Sequence, residues 1–88
     1  MTVHAYILFK VNSAMEKEVS KQLSELDEVQ VASITYGEYD VIAKVTVDEL
    51  PALEDFISVK IRKIPSIVLS STMIISQEYK GKKQRVAK

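Results

Sequence analysis

The sequence predicts an α+β fold in which a four-stranded antiparallel sheet carries two helices on one face. Strand-length segments rich in β-branched and aromatic residues alternate with two segments whose apolar residues recur at helical spacing. The six segments follow the order β-α-β-β-α-β, which is the split βαβ pattern of ferredoxin-like folds. Right-handed crossovers then place the first and third strands in the middle of the sheet. The 88 residues suffice for one domain with a single modest core.

The four strands are recognised by composition and by apolar residues at every second position. They are predicted at Val3–Val11, Val29–Tyr36, Asp40–Val47 and Ser66–Ser76. The third is the most regular, because small and β-branched apolar residues alternate with other residues along its whole length. This alternation predicts a strand whose one face is buried.

The first helix is predicted to begin at Ser13. Ser13 and Glu16 have the spacing of a capping box, in which two side chains satisfy two backbone amides that lack helical partners. Four apolar residues fall on one face of this helix: Met15, Val19, Leu23 and Leu26.

The second helix is predicted to run from a cap at Asp48 to about Lys63. Pro51 is acceptable in its first turn, where the backbone amides have no helical partner, and Pro65 stops the helix. Its predicted buried stripe consists of Leu50, Leu53, Ile57, Ile61 and Ile64.

The face of the sheet opposite the helices is also partly apolar. Tyr6 and Leu8 fall opposite the buried face of the first strand, Ile42 falls off the valine face of the third, and the last strand has apolar residues on both faces. Apolar residues on both sides indicate that both sides are covered, which two helices on one side cannot achieve. We expect a second copy to pack sheet to sheet as a twofold dimer, the alternative being a monomer with isolated exposed apolar side chains.

Composition excludes several classes of function. There is no cysteine, which removes disulfides and thiolate chemistry. No apolar run approaches the roughly 18 residues that cross a membrane, and no signal-peptide pattern is present. We therefore expect a cytoplasmic protein without membrane contact.

Charge is unevenly distributed although the formal net charge is zero. Residues 1–79 hold seven basic and twelve acidic residues, a net charge of −5, whereas residues 80–88 hold five basic residues and no acid. An acidic body disfavours broad contact with nucleic-acid phosphates. The segment 80–88 is expected to be a mobile, solvated tail, and binding of nucleic acid through this tail is an open alternative.

Catalytic motifs are weak. His4 is the one histidine and has no second imidazole or cysteine with which to bind a metal, so it is expected at the surface or in an interface. The hydroxyls of Ser70–Thr72 have no recognisable activating base. Acylphosphatases share the β-α-β-β-α-β order, but their phosphate-binding arginine after the first strand has no counterpart in KVNSAM. We predict no cofactor, no metal and no enzymatic activity.

The stretch from Tyr36 to Asp40 carries the main candidate site. Gly37 can adopt a positive φ, which a connection between paired strands commonly requires. A plain turn explains the glycine and tolerates Glu38 and Asp40, but it does not explain two large amphipathic tyrosines, at Tyr36 and Tyr39.

A free amino acid fits the residues of this stretch. Exposed amides beside Gly37 suit its carboxylate, Asp40 suits its ammonium in a charge-assisted bond, and Tyr36 or Tyr39 offers a wall for its side chain. Other small zwitterions fit the same groups. Three hydroxyls in the middle of the last strand can bond either end of the ligand: Ser70, Ser71 and Thr72.

Three motifs together carry a resemblance to a known family: the Tyr-Gly-x-Tyr-Asp turn at Tyr36–Asp40, KIRKIPSI at Lys60–Ile67, and a Thr-x-Thr-like element at Ser70–Thr72. Over nearly its whole length the sequence resembles the effector-binding domain of the leucine-responsive/AsnC ("feast/famine") transcription regulators, also called the RAM domain. The resemblance assigns residues 1–79 to this domain and leaves 80–88 as the basic tail.

The resemblance implies a ferredoxin-like dimer that assembles into larger rings, commonly octamers, with effectors, usually amino acids, bound between dimers. In the family the glycine–acid turn and the hydroxyls of the last strand line that pocket. The positions that match are Gly37, Glu38, Tyr39, Asp40, Ser70 and Thr72, with Tyr36 and Ser71 as neighbours.

Departures from the family pattern bear on ligand and DNA. The Thr-x-Thr element is Ser70-Ser71-Thr72 here, which keeps the hydroxyls but loses a methyl group, and Ser66 replaces the usual glycine after the proline. Full-length regulators carry an N-terminal helix-turn-helix domain for which 88 residues leave no room, so we expect a stand-alone module that does not itself read DNA sequence.

The leading hypothesis is therefore a regulatory module that binds an amino acid at its oligomeric interface and can co-assemble with full-length regulators. The alternative is a small dimeric ferredoxin-like enzyme of the cofactor-free oxygenase or isomerase type, with a pocket inside each protomer.

Overall fold

The computed structural model describes residues 2–83 and contains the six elements in the predicted order. The strands are β1 (Val3–Val11), β2 (Val29–Ile34), β3 (Val41–Val47) and β4 (Ile67–Ile74). The helices are α1 (Glu16–Ser24) and α2 (Leu50–Asp55), and α2 continues as a π-helical turn (Phe56–Lys60) and a 3₁₀ turn (Ile61–Lys63). Of the predicted basic tail, residues 80–83 are exposed and residues 84–88 lie outside the described residues.

The sheet has the strand order β2-β3-β1-β4, and all three strand pairs are antiparallel. The predicted ferredoxin-like arrangement, with the first and third strands in the centre, is confirmed. Register fixes which side chains share a face: Ala5 lies opposite Val45 on one side and Ile74 on the other. Because side chains alternate along a strand, odd-numbered residues of β1 and β3 point to one face and even-numbered residues to the other.

The core lies between the odd-numbered face of the central strands and the helices. Ala5, Ile7 and Phe9 of β1 and the odd-numbered residues of β3 are buried on this face. Helix α1 adds Val19 and Leu23, while α2 and the π-helical turn add Leu53 and Phe56. Burying these side chains supplies most of the favourable free energy of folding, at roughly 25 cal/mol per Å² of apolar surface.

The opposite face of the sheet has no helix on it. Tyr6 lies between Lys44 and Met73, and Leu8 lies between Ile42 and Ser71. We call this the open sheet face, and by register it comprises His4, Tyr6, Leu8, Lys10, Val31, Ser33, Ile42, Lys44, Thr46, Leu69, Ser71 and Met73. About half of the surface of Leu69 and Met73 is exposed, 51% and 52%. The prediction that apolar side chains occupy both faces is confirmed.

The predicted cap of the first helix is wrong. The helix begins at Glu16 behind Met15, and no side chain caps it, so Ser13 and Glu16 do not form a capping box. Ala14 has a φ of 67°, and the Met15 amide donates to the Asn12 carbonyl at 3.0 Å, an ordinary hydrogen-bond length. This left-handed turn delays the helix and carries the chain past the position at which Ser13 would cap it.

The second helix also differs from its prediction. Glu49, not Asp48, precedes its first residue, and no side-chain cap is formed. The helix does not continue regularly to Lys63, because the π-helical turn inserts i→i+5 geometry and shifts the buried stripe. Phe56 and Ile61, five residues apart across this turn, are both buried, whereas Leu50, the first residue of α2, is 46% exposed.

Three strands are shorter than predicted. β2 stops at Ile34, β3 starts at Val41, and β4 is confined to Ile67–Ile74. The residues removed from β2 and β3 form the connection between these strands. In the described part of the chain, no helix has the length and apolar character needed to cross a bilayer.

The burial pattern makes a stability prediction with a matched control. Leu23→Ala, at a fully buried site, should lower the free energy of unfolding by about 2–5 kcal/mol, because it removes apolar contacts and leaves a cavity. Leu50→Ala, the same change at the exposed site, should cost about 0.5 kcal/mol or less. Urea unfolding at one fixed protomer concentration measures both, and equal losses would contradict the helix register described here.

Candidate functional site

The connection between β2 and β3 is an ordered turn with an exposed apex. At its base the Thr35 amide donates to the Asp40 carbonyl at 2.9 Å, and the Thr35 hydroxyl donates to the Tyr39 carbonyl at 2.9 Å. Gly37 has a φ of +136°, a conformation that side-chain-bearing residues rarely adopt, and the space where its Cβ would lie is open. Tyr36 is fully exposed. The turn therefore presents backbone and one aromatic ring to solvent.

Asp40 ties this turn to the end of β1. Its amide donates to the Phe9 carbonyl at 2.8 Å, and its Oδ2 accepts a hydrogen bond from the Val11 amide at 2.9 Å. The carboxylate thus satisfies a backbone donor that the strand pairing leaves free. Within residues 2–83 the Val11 amide is the one donor to this carboxylate.

A cavity of about 350 Å³ lies beside the turn, on the side of α1. It contains three of the predicted site residues, Tyr36, Gly37 and Asp40. The remaining lining residues are Ile34, Thr35, Glu16 and Lys17. Its volume is in the range of small-molecule sites, which run from roughly 300 to 1,000 Å³.

Glu16 and Lys17 were not among the predicted site residues, although both line this cavity. The fold brings them to the turn, because β1 and β2 run parallel and end at the same edge of the sheet. The start of α1 and the β2–β3 turn therefore meet there. The predicted strand order is enough to place the start of α1 beside this turn, whereas the periodicity of the helix alone is not.

Glu38 and Tyr39 lie away from that cavity. The Lys10 ammonium donates a hydrogen bond to the Glu38 carbonyl and lies 5.6 Å from the centre of the Tyr39 ring. Since Lys10 belongs to the open sheet face, these two predicted residues are held on the opposite side of the turn from α1.

The three hydroxyl residues of β4 are divided between the two faces of the sheet. Ser70 pairs with Phe9 and Thr72 pairs with Ile7, whereas Ser71 pairs with Leu8 and points to the open sheet face. Ser70 lines a separate cavity of about 220 Å³ between β4 and the end of the second helix.

One copy of the chain therefore does not bring the eight predicted residues together. Val41, at the base of the turn, and Ser70 both pair with Phe9 from opposite sides. Two strand spacings, roughly 10 Å, separate the turn from the hydroxyls.

The side chains with shifted pKa values among the described residues belong to two ion pairs. Lys60 contacts Glu28 at 2.8 and 3.0 Å, and this hydrogen bond holds the pKa of Glu28 below its usual value. Lys44 contacts Glu78 at 2.9 Å, which raises the pKa of Lys44 and lowers that of Glu78. Neither pair lies in the turn cavity.

His4 lies on the open sheet face, with its Nδ1 2.9 Å from the Thr46 hydroxyl oxygen. In residues 2–83 no three His, Cys, Asp or Glu side chains are grouped so that they could hold a metal ion.

Sequence comparison connects the chain to transcription regulators. A sequence model described as the Lrp/AsnC ligand binding domain matches residues 4–84. An uncharacterized HTH-type transcriptional regulator of Pyrococcus furiosus is 37% identical over 82 residues, which are 93% of this chain and 55% of that protein. The chain spans about half the length of the curated relatives it matches.

Solved structures share the fold. A hypothetical protein of Pyrococcus horikoshii is 45% identical, with a TM-score of 0.81 and coverage of 88% of this chain and 93% of that one. A transcriptional regulator of Neisseria meningitidis in complex with L-methionine is 16% identical, with a TM-score of 0.80 and coverage of 90% and 53%. The second likeness concerns the fold alone. With the family match over almost all of its residues, this chain belongs to the Lrp/AsnC ligand-binding domain family.

Proposed function

We propose that this chain is a regulatory module that binds an amino acid between copies of itself. The observation that carries the proposal is the turn cavity, where acidic and basic side chains flank an exposed glycine backbone. A regulatory role is supported by the names of the curated relatives, which are transcriptional regulators. Amino-acid binding is supported by the Neisseria regulator of the same fold, which was solved with L-methionine.

The chemistry of the turn cavity suits a zwitterion. Asp40 offers a carboxylate oxygen to a ligand ammonium, while Lys17 and the amides near Gly37 offer donors to a ligand carboxylate. Ile34 and Tyr36 supply apolar surface for a side chain. This arrangement recognises the two groups that all amino acids share and leaves the side-chain preference to the surroundings.

A second copy completes the site in this proposal. The turn and the β4 hydroxyls lie on separate surfaces of one copy, so a ligand that contacts both must lie where two copies meet. Ser70 and Thr72 of one copy then face the turn of another, with Glu38, Tyr39 and Ser71 near the same seam.

The open sheet face supports the proposed dimer. It contains Tyr6, Leu8, Ile42, Leu69 and Met73, which form an apolar surface without a helix over it. Covering this face with a second copy removes apolar area from water on both protomers. A twofold axis makes the same surface complementary to itself.

Effector binding at contacts between dimers changes the assembly state of the module, and this change is its regulatory effect. Dimers that associate further into an octamer or a similar ring place each ligand at a joint of the assembly. The ligand shifts the assembly by its difference in affinity between the two states. We propose that full-length regulators of the family are further partners, that the module itself does not read DNA, and that it acts in the cytoplasm.

Titration with amino acids tests the proposal directly. Isothermal calorimetry with each of the twenty amino acids should give saturable heat for at least one, because the cavity carries groups for both backbone charges. Light scattering on the same samples should show a change of mass with that ligand and no change with the silent ones. No heat for any of the twenty, together with an unchanged mass, would refute effector binding.

Two substitutions at Asp40 separate its structural role from ligand binding. Asp40→Ala leaves the Val11 amide without its acceptor and should lower the free energy of unfolding by about 1–3 kcal/mol. Asp40→Asn keeps an oxygen acceptor and should cost about 1 kcal/mol or less, yet it should weaken the best amino acid about 10- to 100-fold through loss of the charge. Unaltered affinity of Asp40→Asn would remove Asp40 from the ligand site.

A charge on the open sheet face tests the dimer. Leu8→Glu should reduce the particle to a single copy at micromolar concentration, because a carboxylate would otherwise be buried in the sheet-to-sheet contact. Val59→Glu is the matched control, since Val59 is a half-exposed apolar residue on the second helix, away from this face. Sedimentation velocity measures both. A single-copy wild type, or a Leu8→Glu variant with wild-type mass, would contradict the proposed interface.

A further inference from the structure

Lys10 holds the apex of the β2–β3 turn from outside the turn. Among the described residues, its bond to the Glu38 carbonyl is the one hydrogen bond that reaches the segment 36–38. The other bonds of the turn involve Thr35, Tyr39 and Asp40, at its base. The apex is exposed and contains a glycine, so its conformation depends on few restraints.

The side chain of Lys10 makes two contacts that act on the same peptide unit. The ammonium binds the carbonyl of Glu38, and it also lies over the ring of Tyr39 at 5.6 Å from the centroid, within the range of a cation–π contact. The peptide bond between these two residues is therefore fixed on both sides. This fixes the direction of the chain as it leaves Gly37.

Lys10 and the turn cavity lie on opposite sides of the turn. By register Lys10 points to the open sheet face, whereas the cavity is bounded by Glu16 and Lys17 of α1 on the helix side. The turn is thus a wall between them. A residue that never contacts the ligand can in this way determine the shape of the cavity.

We propose that Lys10 is a positioning residue that keeps the turn in its ligand-competent conformation. Its role in affinity rests on the proposed function, whereas its role in holding the turn does not. Without Lys10 the apex samples other conformations, and the apparent affinity falls in proportion to the fraction of molecules that remain competent. Because Lys10 stands on the open sheet face, covering that face by a second copy acts on the same restraint.

Limited proteolysis measures the restraint without any ligand. Endoproteinase Glu-C cleaves after glutamate, and the Glu38–Tyr39 bond contains the carbonyl that Lys10 holds. In Lys10→Met, cleavage at this bond under native conditions should be about three- to tenfold faster, since one hydrogen bond to a charged group is lost. Cleavage after Glu49, on the far side of β3, should be unchanged and serves as the internal control.

Two further variants distinguish positioning from a general effect. Lys10→Arg retains a cation that can bind the carbonyl and stack on the ring, and it should restore cleavage to within about twofold of wild type. Lys44→Met removes the other lysine placed over a tyrosine on this face, 5.8 Å from the Tyr6 ring, and should leave the turn unaffected. Unchanged cleavage in Lys10→Met, no rescue by arginine, or an equal effect of Lys44→Met would overturn the proposal.

Calorimetry with the twenty amino acids on the same variants tests the link to binding. Lys10→Met should weaken binding of the amino acid that binds wild type, because a smaller fraction of its molecules holds the competent turn, and Lys10→Arg should restore the affinity. A loosened turn with wild-type affinity would separate the turn from ligand binding and overturn that part of the inference. If no amino acid binds wild type, the proposed function fails, while the cleavage rates still decide whether Lys10 positions the turn.

Discussion

Strand β1 is the constraint on which the rest of the structure depends. It lies in the centre of the sheet, pairs with two strands, and alternates between a fully buried face and an apolar face that no helix covers. Its buried residues Ala5, Ile7 and Phe9 organise the core beneath both helices. Its other residues, Tyr6, Leu8 and Lys10, organise the open sheet face. Because the side-chain period is two, neither face can be altered by a change of register without disturbing the other.

The end of β1 also determines where the candidate site forms. The Phe9 carbonyl and the Val11 amide both bond to Asp40, so the β2–β3 turn is anchored to the central strand at two points. The position of the turn is therefore determined by the central strand, although the turn itself is largely exposed. A binding surface that is exposed at its apex but anchored at its base combines access for a ligand with a defined geometry.

The extent to which the sequence predicts this molecule depends on how local each feature is. The fold and the two faces of β1 were predictable, because the alternation of a strand is visible in residues that are adjacent in the sequence. The absence of a cap at Ser13 was not predictable, since it depends on the left-handed turn at Ala14. The burial of both Phe56 and Ile61 depends on the i→i+5 geometry of a π-helical turn that apolar spacing does not reveal. Of the candidate site, the turn and Asp40 were predicted as a motif. The contributions of Glu16, Lys17 and Lys10 were missed, because they arise only when separate elements meet at one edge of the sheet.

In the proposed function, the same edge of the sheet connects self-association to ligand binding. Residues of β1 alternate between the two roles: Phe9 and Val11 anchor the turn, and Lys10 between them stands on the face that a second copy would cover. In this proposal, a change in the packing of that face acts on the turn through the side chain of Lys10 alone. If ligand and assembly both act on this turn, each must alter the affinity of the other by the same factor, since linkage between binding equilibria is reciprocal. A domain of this size has one core and is only marginally stable. Such coupling does not require a second conformation of the whole fold, because two arrangements of the one anchored turn are sufficient.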